Sequence, residues 1–197
     1  TGRTAVAVSA GFYHTCAILD NGVMKCWGYD IEGQLGDGGG TTNQGSPVSL
    51  SGSNTWDSST GASSGSGNGA SSSSAFAYAN NKVATGERHT CAILDNGDLK
   101  CWGYDNRGQL GDGGTNTDTS APSSTAIDLG TGRTAVAVAA GDEHTCALLD
   151  NGDLKCWGDW QYGQLGDGGA ANTNGYTTTP SSTPIDLGTG RTAVAVS

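Results

Sequence analysis

His14-Thr15-Cys16-Ala17-Ile18-Leu19-Asp20-Asn21-Gly22 is followed by Lys25-Cys26-Trp27-Gly28 and then by Gly33-Gln34-Leu35-Gly36-Asp37-Gly38-Gly39. The first nine residues return unchanged at His89–Gly97 and, with Leu148 in place of isoleucine, at His144–Gly152. Lys-Cys-Trp-Gly returns at Lys100 and Lys155, and the glycine-rich block returns at Gly108 and Gly163. Self-similarity of this kind marks a supersecondary unit that buries its core only against neighbouring copies. The chain therefore reads as three tandem repeats.

Asp20-Asn21-Gly22 is a turn signal between two apolar runs. A three-residue loop with its glycine in the left-handed conformation makes a type I turn plus bulge. That register sets Leu19 against Val23, Ile18 against Met24, Ala17 against Lys25 and Cys16 against Cys26, so two sulfurs leave the ribbon on the same side. The same count joins Cys91 to Cys101 and Cys146 to Cys156. A two-residue loop at Asn21-Gly22 would instead oppose Cys16 to Trp27, and the sequence leaves that alternative open. A metal site is the competing use of the cysteines, since His14 shares a face with Cys16. Cys-x9-Cys across a hairpin is not a knuckle spacing, however, and a fourth ligand is missing.

Thr134-Ala135-Val136-Ala137-Val138 alternates with period two between glycine-bearing turns, and no segment carries a 3.6-residue apolar period. Short strands and tight turns suit a 197-residue chain with 34 glycines and 35% hydrophobic residues. Pro122, Pro180 and Pro184 precede Ile-Asp-Leu-Gly segments expected to be strands, where a missing amide donor is tolerable. The histidines are 75 and then 55 residues apart, and the 20-residue excess falls in a serine- and glycine-rich stretch, 41–79. That stretch has too few apolar groups for a core and reads as a solvated spacer, with an ordered surface as the alternative. No asparagine has serine or threonine two residues later, so N-linked sequons are absent.

A net charge of -10 without a lysine or arginine cluster argues against nucleic acid as a partner. No apolar run approaches the length of a membrane span, and nothing at Thr1 resembles a signal peptide, so a soluble chain or an excised segment is expected. Six regularly placed cysteines point to an oxidising compartment, extracellular or at a cell surface.

The residues Gly11, His14, Ala17, Gly22, Trp27, Gly28, Gly33, Gln34, Leu35 and Gly36, recurring from Gly86 and Gly141, resemble the pattern of regulator-of-chromosome-condensation repeats. The resemblance implies an all-β fold of tandem four-stranded β-propeller-type blades, with tryptophan and leucine filling the space between blades. The repeats then divide as 1–40 for the first part of repeat 1, 41–79 for the insertion, 80–130 for repeat 2, 131–188 for repeat 3, and 189–197 for the first strand of a following repeat. Two departures stand out. The family's asparagine is Asp30 and Asp105 here and Trp160 in the third repeat, so the turn it braces is expected to differ. The paired cysteines are an addition to the basic pattern. Three repeats do not close a seven-bladed ring, and residues 1–9 are identical to 189–197. The array is thus expected to be open, a piece of a larger or oligomeric propeller or of a fibre.

No catalytic residue, cofactor or metal is expected. His14, His89 and His144 occupy one repeat position, which suits a structural hydrogen bond; Trp27, Trp102 and Trp157, with Gln34, Gln109 and Gln164, are read as repeat-structural in the same way. Calcium at Asp30 with Asp37, or at Asp105 with Asp112, fits no recognised loop spacing, and aspartate in such turns commonly caps backbone amides. The leading expectation is a non-enzymatic extracellular structural or adhesive protein whose partners are copies of itself or the flanking repeats of a longer chain. The alternative is an inhibitor-like module that grips another protein, with Trp56, Trp160, Tyr162 and Tyr176 as candidate anchors, although packing between blades is the favoured reading of these four side chains. Guanine nucleotide exchange, which the resemblance also raises, sits poorly with a cysteine-stapled acidic chain.

Overall fold

The computed structural model describes residues 3–58, 81–168 and 175–197. Among them the regular structure is all antiparallel β. The first sheet runs β1 (Ala5–Ala10), β2 (His14–Leu19), β3 (Met24–Gly28) and β4 (Gln44–Ser49) in that order. The second holds β5 (Val83–Thr85), β6 (His89–Ile93) and β7 (Leu99–Gly103), and its fourth position is a single bridge between Gly103 and Thr119. The third comprises β8 (Ala135–Ala140), β9 (His144–Leu149), β10 (Leu154–Asp159) and β11 (Tyr176–Thr177). Each sheet is one blade. Strand contacts run from blade 1 to blade 2 and from blade 2 to blade 3, with β1, β5 and β8 side by side on the inner edge. The blades form an arc that does not close.

The central hairpin adopts the three-residue loop. Leu19 N–H donates to Val23 O (2.8 Å), Gly22 N–H donates to Leu19 O (2.9 Å), and Gly22 has φ 72°. A side chain there would be strained by that angle and would strike Thr55. The pairing Cys16↔Cys26 follows, with Cys91↔Cys101 and Cys146↔Cys156 in the other blades. All three pairs are disulfide-bonded, with Cα atoms 4.0–4.1 Å apart.

Strand alternation then decides what each blade shows its neighbours. His14, Cys16 and Ile18, with Cys26 and Met24 opposite them, face the following blade; Thr15, Ala17 and Trp27 face the preceding side. The core accordingly lies between blades. One cluster joins Cys16, Ile18, Met24, Cys26 and Leu35 of blade 1 to Ala92 and Trp102 of blade 2. Its successor joins Cys91, Ile93, Leu99, Cys101 and Leu110 of blade 2 to Ala147 and Trp157 of blade 3. Each disulfide is thus part of a blade-to-blade core rather than a surface staple.

Two expectations change. The Ile-Asp-Leu-Gly segments are not strands: each makes one backbone bond to a hairpin, Ile127 N–H to Leu99 O and Ile185 N–H to Leu154 O (both 2.9 Å), and Leu129 O also accepts from Lys155 Nζ (3.0 Å). The start of the stretch 41–79 is framework rather than spacer. It supplies β4, and Trp56, exposed by only 2%, packs its ring 5.5 Å from that of Trp102. Val48, Leu50 and Trp56 are the apolar groups that make this burial favourable. Residues 59–79 lie outside the described residues.

Candidate functional site

The three repeat-identical polar residues meet at the joints between blades. Gln34 Oε1 accepts the Glu32 N–H (3.0 Å), which braces the loop and leaves the Gln34 carbonyl aimed at blade 2. That carbonyl accepts the Thr90 hydroxyl at 2.9 Å and the Trp102 indole N–H at 3.0 Å, filling both of its lone pairs. The Thr90 hydroxyl proton being committed, its oxygen accepts from His14 Nε2–H at 2.7 Å. The next joint repeats the pattern. Gln109 O accepts from Thr145 Oγ1 (2.9 Å) and Trp157 Nε1 (3.0 Å), and Thr145 stands 2.9 Å from His89 Nε2. Gln34, Thr90, Trp102, His89, Gln109, Thr145 and Trp157 are all fully buried. Burial lowers the His14 pKa to about 4 and that of His89 to about 3, so both rings are neutral at physiological pH and donate through Nε2. Glycines let the blades close: a Cβ on Gly86 would strike the Gly141 carbonyl, and one on Gly36 would strike the Trp102 indole.

The outer faces carry the same parts in halves. On blade 1, Thr15 and Trp27 are only half-buried, and among the described residues no glutamine carbonyl meets them. On blade 3, Gln164 and His144 are half-buried and face outward. The last segment crosses blade 3, with Ala193 N–H donating to Gly152 O (2.9 Å) as Ala135 N–H does to Gly97 O (2.9 Å) one blade earlier. Blade 1 therefore presents the threonine and tryptophan half of a joint, and blade 3 presents the glutamine and histidine half.

The aspartates expected as calcium candidates have backbone partners. Asp30 Oδ1 accepts Leu35 N–H (2.9 Å), Asp105 Oδ1 accepts Leu110 N–H (3.0 Å), and Asp37 and Asp112 cap Gly39 and Gly114. Among the described residues no group of three or more His, Cys, Asp or Glu side chains is placed to hold a metal ion. In the third blade, where Trp160 stands in the aspartate's place, Gln164 Nε2 donates to Asp159 Oδ2 instead (2.6 Å). Burial raises the Asp105 pKa to about 7, Asp112 and Asp118 adding to the effect.

The candidate anchors do not converge. Trp56 is a correction: it is sealed between blades 1 and 2 and offers nothing to a partner. Trp160 is half-buried, its indole nitrogen enclosed, and Tyr176 lies half-buried in β11. Tyr162 is 86% exposed. Sequence reasoning missed the threonine that carries the joint, although it follows the histidine in every repeat. It also missed Phe12 and Tyr13, exposed by 73% and 48%. No helix of the described residues is long and apolar enough to cross a membrane.

Comparison with known proteins agrees with this geometry. A profile of the regulator of chromosome condensation (RCC1) repeat matches residues 5–34, 81–109 and 135–164, and a second profile of the same repeat matches 96–148. The ultraviolet-B receptor UVR8 of Arabidopsis thaliana is 30% identical, the match covering 84% of this chain and 44% of the receptor. The human E3 ubiquitin-protein ligase HERC2 is also 30% identical over 84% of this chain, but that is 3% of its own length. Among solved structures, Prp20p of Saccharomyces cerevisiae superposes with a TM-score of 0.70 at 19% identity, over 100% of this chain and 42% of that one. Human WBSCR16 superposes at 0.68 with 22% identity, over 92% and 38%. The chain thus spans less than half of each of these proteins.

Proposed function

This chain belongs to the regulator of chromosome condensation repeat family, and on that premise we propose that it is a non-enzymatic, propeller-type protein-binding module whose outer faces join blades of its own kind into an extracellular structural or adhesive assembly. The observation that carries the reading is the divided joint: donors Thr15 and Trp27 on one face, the carbonyl of Gln164 and the ring of His144 on the other. Both interior joints use the same four groups, so a blade of the same repeat satisfies either face, whether it comes from a flanking repeat or from a second copy. Three disulfides support an oxidising location. Protein binding also has a precedent in the fold: Prp20p has binding properties to Gsp1p and histones and is known bound to Kap60.

Light scattering across a concentration series tests the proposal. The expected result is a mass that climbs with concentration, and a Trp27→Arg variant that stays at the mass of one chain with its melting temperature unchanged. A wild-type chain that remains single throughout, or a variant that associates equally well, overturns it.

A further inference from the structure

From Gly11 to Gly38, and over the matching stretches from Gly86 and Gly141, the three repeats differ at few positions. Ile18 against Leu148, and Met24 against Leu99, exchange one core group for another of similar size. Val23 against Asp98 lies at the hairpin tip. Every remaining difference falls in two loops: the pair before the histidine, and the four residues between Trp-Gly and Gly-Gln-Leu-Gly. The two loops touch in each blade, through Tyr29 N–H to Tyr13 O (3.0 Å), Tyr104 N–H to Arg88 O (2.9 Å) and Asp159 N–H to Glu143 O (2.8 Å). They also meet across blades, through Arg88 with Glu32 (3.8 Å) and Arg107 with Glu143 (3.6 Å). The divergent positions therefore form one continuous end of the array, opposite the hairpin tips.

We infer that this end is a recognition surface for a cationic protein segment that also carries an aromatic or apolar side chain. The inference rests on the protein-binding reading above, but uses a surface other than the outer faces. Contacts between like blades call for like surfaces; an end on which identical frameworks display different side chains suits a partner without the repeat. Its chemistry changes along the arc. Blade 1 displays Phe12 beside Tyr13, ring centroids 4.6 Å apart, with Tyr29 5.4 Å beyond. In blade 2 Arg88 is already held by Glu87 (3.3 Å) and Glu32, and it lies 5.6 Å over the Tyr104 ring. Blade 3 displays Asp142 and Glu143, which line an open depression with Asp159 and Tyr162. Glu143 is taken up by Arg107, and Arg88 is outnumbered by Glu87 and Glu32, so the negative charge left for a partner comes chiefly from Asp142 and Asp159 at blade 3, and the apolar area left for it is at blade 1. Phosphate-bearing partners are repelled by the same charges.

The test is fluorescence anisotropy of a short labelled peptide of alternating arginine and tryptophan, with a glutamate–tryptophan peptide as counterpart. The arginine peptide is expected to bind, with affinity falling as salt rises. Phe12→Ala and Asp142→Arg are each expected to weaken it about tenfold, the scale of a residue that anchors an interface. Asp95→Arg, the same charge change at the opposite end, is expected to leave it unchanged. Absence of binding, equal binding of the glutamate peptide, or equal weakening by Asp95→Arg overturns the inference. Light scattering on the same samples separates the two readings. Peptide binding without association defeats only the end-joining proposal, and association without peptide binding defeats only this one.

Discussion

The Thr90 hydroxyl accepts a hydrogen bond from His14 and donates one to the Gln34 carbonyl, so one small side chain closes a chain of bonds between two blades. Removing any member leaves buried partners unsatisfied, at a cost of about 1–3 kcal/mol each. Protonation acts on the same joints with two signs. The folded-state pKa values of His14 and His89 lie below the ordinary 6.5, so the unfolded chain binds more protons there, and stability falls as pH drops through 6.5 toward about 4. Asp105 is the opposite case. Its pKa of about 7 lies above the usual 3.8, so its stabilising contribution is complete below about pH 4 and is lost as pH rises through 7. Asp105→Asn keeps the oxygen that accepts Leu110 N–H and removes the charge. Thermal melts are expected to show the variant more stable than wild type at pH 8, by on the order of 2 kcal/mol, with the advantage vanishing near pH 4. A variant less stable at pH 8 would contradict this.

At the scale of the strand pair, the repeated hairpin was the most legible part of the molecule. Asp20-Asn21-Gly22 marks the turn and allows two loop lengths; the three-residue loop that forms sets the register, and the register brings Cys16 to Cys26. What lay beyond reach was set by tertiary contacts. The Ile127–Leu129 segment has strand-like composition, yet it makes one backbone bond to the hairpin, Ile127 N–H to Leu99 O, rather than a ladder. Trp56 sits in a polar stretch that gives no periodicity to read, and its burial comes from the cluster between blades 1 and 2, which includes Met24, Val83 and Trp102. The threonine at the joint was hidden for a different reason: a residue identical in every repeat looks like scaffold until the next blade is present to receive it. The disulfide between β6 and β7 closes a ten-residue separation within a buried interface. Replacing Cys91 and Cys101 together by alanine is expected to lower the unfolding free energy by about 2–3 kcal/mol in urea titration while leaving the far-ultraviolet circular dichroism unchanged. Equal stability of the variant would mean that the bridge adds nothing to packing already complete.

At the scale of the whole array, tandem blades and an open arc were readable from the repeat and its resemblance. The nature of the contacts between blades was not, because a joint is a property of two repeats and each repeat carries only half of it. The tryptophans report on this directly, since they hold one position in three settings. Trp102 and Trp157 are fully buried with their indole N–H groups on glutamine carbonyls, whereas Trp27 faces outward and half-buried. Hydrogen exchange of the three indole N–H protons, followed by nuclear magnetic resonance over a range of protein concentration, is therefore the most direct measurement. The expected result is that Trp102 and Trp157 are protected at every concentration, while Trp27 exchanges rapidly in dilute solution and becomes protected as concentration rises. Three indoles exchanging alike in dilute solution, or a Trp27 whose exchange never slows, would contradict the divided joint.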